Sequence, residues 1–388
     1  LAAKDVEKIV TSAERIGPTI GTITSKDAYN WDYTGLGYTG QLHWYPDLEF
    51  GTYTSSRQAA WAIGGKLFGR TGYWADSLQL GASYYLSAPL YAPDDKDGTG
   101  LLAPGQSSIS VLGERSRTVQ ATLTTDASPA RLALSADGTT LYLTHPEGHQ
   151  LSAVDAASGR TVARVTVQGE PFAIAIDPRD GAVLAADWNG GELLRLDPGL
   201  KAVTGRLALG GSPAAMVIVG GRMFVADRAG DAVAVVDLPS WRLVTRMAVG
   251  KAPFALVASS DGRHLYVANA RSASVSVIDV PSLTATRTLA VGQMPYGVAM
   301  SPDDALLFVA NQQSGSVSII DAEQLVRLID VKVGRYPEGI CLGADGSTVY
   351  VTNWLSNDVS VLAVPFAREV GRIAVGGGPR AVAQDGHC

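Results

Sequence analysis

The chain has 388 residues, 46% of them apolar and 18% charged, with 43 glycines, 19 prolines and a formal net charge of −6. That is length for two domains or one large one, with apolar content enough for a sizeable core, and the glycine and proline suit short strands joined by tight turns. The charge excludes a basic stripe for nucleic acid, no apolar run of about 18 residues offers a membrane helix, and Cys341 and Cys388 build neither a disulfide framework nor a zinc site.

The chain opens on Leu1 without a charged-then-apolar leader, which is compatible with a cleaved signal peptide or with a trimmed start. Residues 2–16 predict a short amphipathic helix, because Val6, Ile9, Val10, Ala13 and Ile16 recur at helical spacing and Gly17-Pro18 closes the run. Over residues 19–89 alternation takes over, as in Gln41-Leu42-His43-Trp44 and Ala59-Ala60-Trp61-Ala62-Ile63, so strands are expected. Fifteen of the 28 aromatic residues fall within residues 1–106. This stretch is therefore read as a β-rich N-terminal extension, distinct from residues 107–388. The acidic loop Asp94-Asp95-Lys96-Asp97-Gly98 has Pro93 where a calcium loop would begin and no closing glutamate, so it reads as a solvated turn.

Within the extension, Ile63-Gly64-Gly65-Lys66-Leu67, residues 78–85, the loop at 94–106 and Val111-Leu112-Gly113-Glu114 resemble the early strands of substrate-specific outer-membrane porins. The resemblance implies membrane contact through residues 1–106. Roughly four to six strands do not close a bacterial barrel of eight or more. The residues are therefore read first as a soluble extension packed on residues 107–388.

From residue 107 the chain repeats. A proline heading an apolar run recurs as Pro129, Pro171, Pro213, Pro253, Pro295, Pro337 and Pro379, at spacings of 42, 42, 40, 42, 42 and 42 residues. Each unit carries four short apolar runs, the signature of propeller blades. In the unit from Pro253, strand a is expected at 254–258, strand b at 265–268, strand c at 274–279 and strand d at 284–291. Proline at the head of strand a forfeits no ladder bond. Asp137-Gly138, Asp261-Gly262 and Asp345-Gly346 supply the positive φ of tight hairpins. Asp187, Asp227, Asn269, Asn311 and Asn353 end strand b and are expected to bond backbone in the next turn.

Tyr350-Val351-Thr352-Asn353, with its relatives at residues 266–269 and 308–311, resembles the Tyr-Val-Thr-Asn (YVTN) type of repeat found in surface-layer propellers, lactonase-like propellers and the propeller chains of quinoprotein amine dehydrogenases. The expected fold is all-β: a seven-bladed β-propeller of four-stranded blades. The seventh unit stops after residues 379–383, so the last blade is expected to close with strands from both chain ends, taking residues 84–88, 108–112 and 118–123 from the front.

The loops from strand d to strand a and from b to c should open on one face, around the central channel. Candidate binding residues there are Phe172, Trp188, Arg228, Phe254, Arg271, Tyr296, Gln312, Glu338, Trp354 and Arg380. Glu338 and Arg380 stand where other units carry Phe, Ala or Tyr, and a polar pair beside an aromatic rim suits a small anion or a partner's side chain. His145 and His149 flank Glu147 and are weak metal candidates, their spacing matching no strong metal motif. No catalytic motif and no cofactor is read from the chain. The reading is a non-catalytic, extracytoplasmic module, periplasmic or at the cell surface and associated with an outer-membrane or cell-surface complex. It would bind another protein or a small ligand at the top face. The alternative is an enzyme working at the channel mouth, lactonase-like or part of a quinone-dependent dehydrogenase.

Overall fold

The computed structural model describes residues 31–33, 40–42, 107–113, 117–343 and 346–382. The chain divides into two compact units, Leu1–Pro104 and Gly105–Cys388. In the first unit β1 (Trp31–Tyr33) pairs antiparallel with β2 (Gly40–Leu42). The expected helix at 2–16, the porin-like segments before residue 107 and the strand at 84–88 lie outside the described residues.

The second unit begins with the two-stranded sheet β3 (Ser108–Gly113) and β4 (Thr118–Thr124), and six four-stranded antiparallel sheets come after it. Blade one holds β5 (Arg131–Leu134), β6 (Thr140–His145), β7 (Gln150–Asp155) and β8 (Thr161–Thr166). Blade two holds β9 (Pro171–Ile176), β10 (Val183–Asp187), β11 (Glu192–Leu196) and β12 (Val203–Ala208). Blade three is β13 (Pro213–Val219), β14 (Arg222–Asp227), β15 (Ala232–Asp237) and β16 (Arg242–Ala248). Blade four is β17 (Pro253–Ala258), β18 (His264–Asn269), β19 (Ser274–Asp279) and β20 (Thr284–Ala290). In blade five come β21 (Pro295–Met300), β22 (Leu306–Asn311), β23 (Ser316–Asp321) and β24 (Val326–Lys332). Blade six closes the series with β25 (Pro337–Leu342), β26 (Thr348–Asn353), β27 (Asp358–Ala363) and β28 (Arg368–Ala374).

The expectation of seven blades is thus corrected to six four-stranded blades among the described residues. Strands β3 and β4 match the expected strands c and d but remain a two-stranded sheet, and residues 380–382 form no strand. The physical reason is that a blade forms only where four strands find one another's ladders. The strand expected to complete that sheet, at 84–88, lies outside the described residues, and residues 380–382 join no ladder. No α-helix occurs among the described residues, only two short 3-10 turns at Ala270–Ser272 and Val364–Phe366. Neither is long and apolar enough to cross a membrane. Cys341 on β25 is buried, and the one other cysteine, Cys388, lies outside the described residues.

Each blade buries its middle strands on both faces. Val183, Leu184, Ala185 and Ala186 of β10 are all buried, as an unbroken apolar run requires, whereas β20 on the perimeter is nearly all exposed and reads Thr-Ala-Thr-Arg-Thr. The core is a series of layers between neighbouring blades. Phe308 and Ile319 of blade five pack with Val349 and Val351 of blade six. Met223 and Val225 of blade three pack with Leu184 and Leu193 of blade two. The β3–β4 sheet is held from both sides: Leu112 and Val119 pack on Tyr350 and Val361 of blade six, while Leu123 lies against Gly159 of blade one.

Candidate functional site

The inner strands β5, β9, β13, β17, β21 and β25 are successive neighbours around the channel. Each from β9 to β25 starts at its marker proline with a register shift against strand b. In blade four Pro253 faces Asn269 and Ala255 faces Ala268, so Phe254 is the extra residue of a bulge. The same shift frees Phe172, Ala214 and Tyr296, and the shift in blade six spans Glu338 and Gly339. A bulge re-aims the residue it releases. The residue after each proline is thereby taken out of the ladder.

The two sets of loops do share one face. The backbone N–H of Trp188 donates to the Glu170 carbonyl, Arg228 to Ser212, Ala270 to Ala252, Gln312 to Met294 and Trp354 to Tyr336, each from 2.8 to 2.9 Å except Ala270 at 3.0 Å. The strand-b ends brace this face. One Asp187 carboxylate oxygen accepts from the N–H groups of Glu170 (2.9 Å), Gly190 (3.0 Å) and Asn189 (3.2 Å), so it ties the incoming d-to-a loop as well as its own turn. Asp227 does the same with Ser212 and Gly230. Asn269, Asn311 and Asn353 differ from the expected backbone bonding: their amide nitrogens donate to serine hydroxyls of strand c. Gly169 makes room for Asp187. Its φ is +98°, and a Cβ there would stand 1.9 Å from a carboxylate oxygen. Gly169→Ala is expected to cost roughly 2–4 kcal/mol from strain and overpacking together, read as a lowered urea midpoint.

Nine of the ten candidate residues are brought together in or beside this mouth. Phe172, Trp188, Phe254 and Tyr296 are buried in one cluster with Ala130, Ala214, Ala270 and Met294. The Phe172 and Trp188 rings lie 4.8 Å apart, Trp188 and Phe254 meet edge-on at 5.9 Å, and Phe254 stacks on Tyr296 at 3.9 Å. The Arg228 guanidinium sits 5.5 Å from the Trp188 ring centre and that of Arg380 5.4 Å from Trp354. Gln312, buried, donates from its side-chain nitrogen to Glu338 at 2.9 Å. Arg271 is exposed at the rim. Burial pushes the Glu338 carboxyl up, with Arg380 and Arg131 working against that shift. Burial likewise pushes the Tyr296 phenol up, opposed by Arg228.

The metal candidates separate. His145 is buried; Nδ1 faces the Ala127 carbonyl at 3.0 Å and Nε2 the Ser152 hydroxyl at 2.8 Å, so both ring nitrogens are committed to the protein. His149 points outward, its Nδ1 2.7 Å from the Gly169 carbonyl. No group of three His, Cys, Asp or Glu side chains suited to a metal occurs among the described residues.

One residue of the mouth is absent from the sequence candidates. Arg131, first residue of β5, lays its guanidinium 4.8 Å from the Phe172 ring centre and 5.6 Å from that of Phe254. A signal for it exists. The second residue after each marker proline is Ala173, Ala215, Ala255, Gly297, Gly339 or Ala381, and only the first unit has arginine there. The small residues have a reason, since a Cβ on Gly297 would stand 2.2 Å from the Glu338 carbonyl oxygen of the next inner strand.

Over residues 193–382 the sequence matches the model of the YNCE-like beta-propeller family. The chain is a β-propeller repeat protein. Among solved structures the propeller is similar to Kuenenia stuttgartiensis hydrazine synthase, at 19% identity and a TM-score of 0.61 over 67% of this chain and 90% of that one. It is also similar to a functionally unknown protein from Desulfotomaculum acetoxidans, at 14% identity and a TM-score of 0.62 over 71% of this chain and 96% of that one. No curated protein matches the sequence. At such identities the likeness extends to the propeller fold alone.

Proposed function

We propose that the propeller, of the Tyr-Val-Thr-Asn kind, is a non-catalytic binding or assembly module that works outside the cytoplasm and takes another protein at its channel mouth. The observation that carries this reading is the lining itself: Phe172, Trp188, Phe254 and Tyr296 packed ring against ring beneath Arg131 and Arg228. Tryptophan, tyrosine and arginine gathered at the hub of the inner strands are the residue types that dominate binding energy at protein interfaces. An enzymatic reading would draw on Glu338, whose raised carboxyl could hold a proton for transfer. A lactone panel assayed with the intact chain is expected to show no turnover.

Partner binding is tested by placing a photoreactive side chain at exposed Arg271 on the rim or, as control, at Val244 on the outer strand β16. In cells of the source organism the rim position is expected to trap one dominant protein and the outer position none. Equal labelling from both, or no adduct from the rim, overturns the reading.

A further inference from the structure

The group that enters the mouth can be named by its chemistry, on the premise that the mouth is a binding site. Arg131 and Arg380 come from the two ends of the blade series, one opening β5 and the other lying beyond β28. Both guanidiniums lie on aromatic faces, Arg131 on Phe172 and Phe254 and Arg380 on Trp354. Among the described residues neither has a carboxylate in ion-pair contact. The Arg131 side chain donates from Nη1 to the Ala130 carbonyl at 3.2 Å. The two cations are near enough to repel one another, and both are drawn to Glu338, the carboxylate they share. Glu338 is already engaged by the Gln312 amide.

Two half-buried guanidiniums therefore face one buried carboxylate. Partly buried positive charge in excess of its carboxylate is costly, and an incoming anion relieves it. A guanidinium fork fits a planar carboxylate through paired N–H donors. The rings under the forks are nearly buried, and what surface they keep is apolar and meets the rest of such a ligand.

We propose that the channel mouth is a receptor for a carboxylate borne on an aromatic or apolar body, gripped by Arg131 and Arg380 with the body against Phe172, Phe254 and Trp354. Two sources present this chemistry, a free small organic acid and the C-terminal carboxylate of a partner chain ending in an apolar residue.

The test is calorimetric titration of the full chain with 3-phenylpropanoate and its amide, and with an acetyl-Gly-Gly-Phe peptide as the free acid and as the C-terminal amide. Each acid is expected to bind at least 10-fold tighter than its amide. Arg131→Gln and Arg380→Gln are each expected to weaken the acids about 10-fold while leaving the amides unchanged. Tighter binding of the peptide acid assigns a partner's C-terminus, and tighter binding of phenylpropanoate assigns a free acid. Equal affinity of acid and amide, or no binding of either acid, overturns the proposal. Should an arginine variant fail to fold, the acid-to-amide ratio of the unaltered protein decides alone. A rim that traps a partner but shows no acid preference removes this inference and leaves the binding module. Acid preference without a trapped partner removes the partner and leaves the receptor.

Discussion

Phe308→Ala is expected to lower the unfolding free energy by about 3–5 kcal/mol and the melting temperature by roughly 10 °C. Phe308 is fully buried on β22, between Val331 of its own blade and Val349, Val351 and Leu362 of the next. Its ring fills the layer where two twisted sheets meet, and neither sheet can move inward without dragging its whole blade. The cavity left by alanine should therefore collapse little, which places the loss toward the upper end of the range. Leu328→Ala is the control. Leu328 is 56% exposed on β24, and its removal should change stability by about 0.5 kcal/mol or less. Calorimetric melts of both variants check the pair. Similar losses from both would mean that the outer strands, rather than the layers between blades, hold the ring.

The second large effect is expected at Asp177, just after β9. Its carboxylate is fully buried and accepts from Arg179 Nε (2.9 Å) and Nη2 (2.6 Å) and from Arg195 Nη1 (2.7 Å). Arg195 continues to Asp180 and lies 6.0 Å from the Trp241 ring centre of blade three. The bonds from Arg179 lead, with Arg195 adding, in holding the Asp177 carboxyl well below the usual carboxylate range against the cost of burial. A depressed folded-state pKa contributes stability that is present above the unfolded value of about 3.9 and is lost as pH falls toward the folded value. Asp177→Asn should thus cost about 3 kcal/mol at pH 7, since it strands two guanidiniums that remain partly hydrated. The gap between variant and unaltered protein should narrow as the medium is acidified below about pH 4. Urea denaturation at pH 7 and pH 3 measures both; a pH-independent gap would assign the loss to shape rather than charge.

Much of this architecture is legible in the letters, because its causes are local. The prolines mark strand starts that need no N–H, and Gly138, Gly262 and Gly346 do adopt the positive φ expected of their turns. The blade count departs from the sequence pattern where the cause is not local. Whether Ser108–Gly113 and Thr118–Thr124 complete a four-stranded sheet depends on what pairs beside them, which strand-like patterning does not specify. The site divides in the same way. Phe172, Phe254, Tyr296 and Glu338 are legible because each stands directly after a marker proline. Arg131 stands one column further on, outside the set of pattern-breaking positions, although the alanines and glycines of its own column set it apart. His145 is a weak ligand candidate in sequence, and only the Ala127 carbonyl and the Ser152 hydroxyl, distant in the chain or on the next strand, reveal it as a brace.

The slipped register at the heads of the inner strands from β9 to β25 has an evolutionary corollary. A side chain released from the hydrogen-bonding ladder can be exchanged without shifting the pairing of any other, so the hub behaves like a set of sockets fitted one to a spoke. Drift at these few points would let one unchanged wheel acquire new guests, with its rigidity inherited intact from residues that never see them.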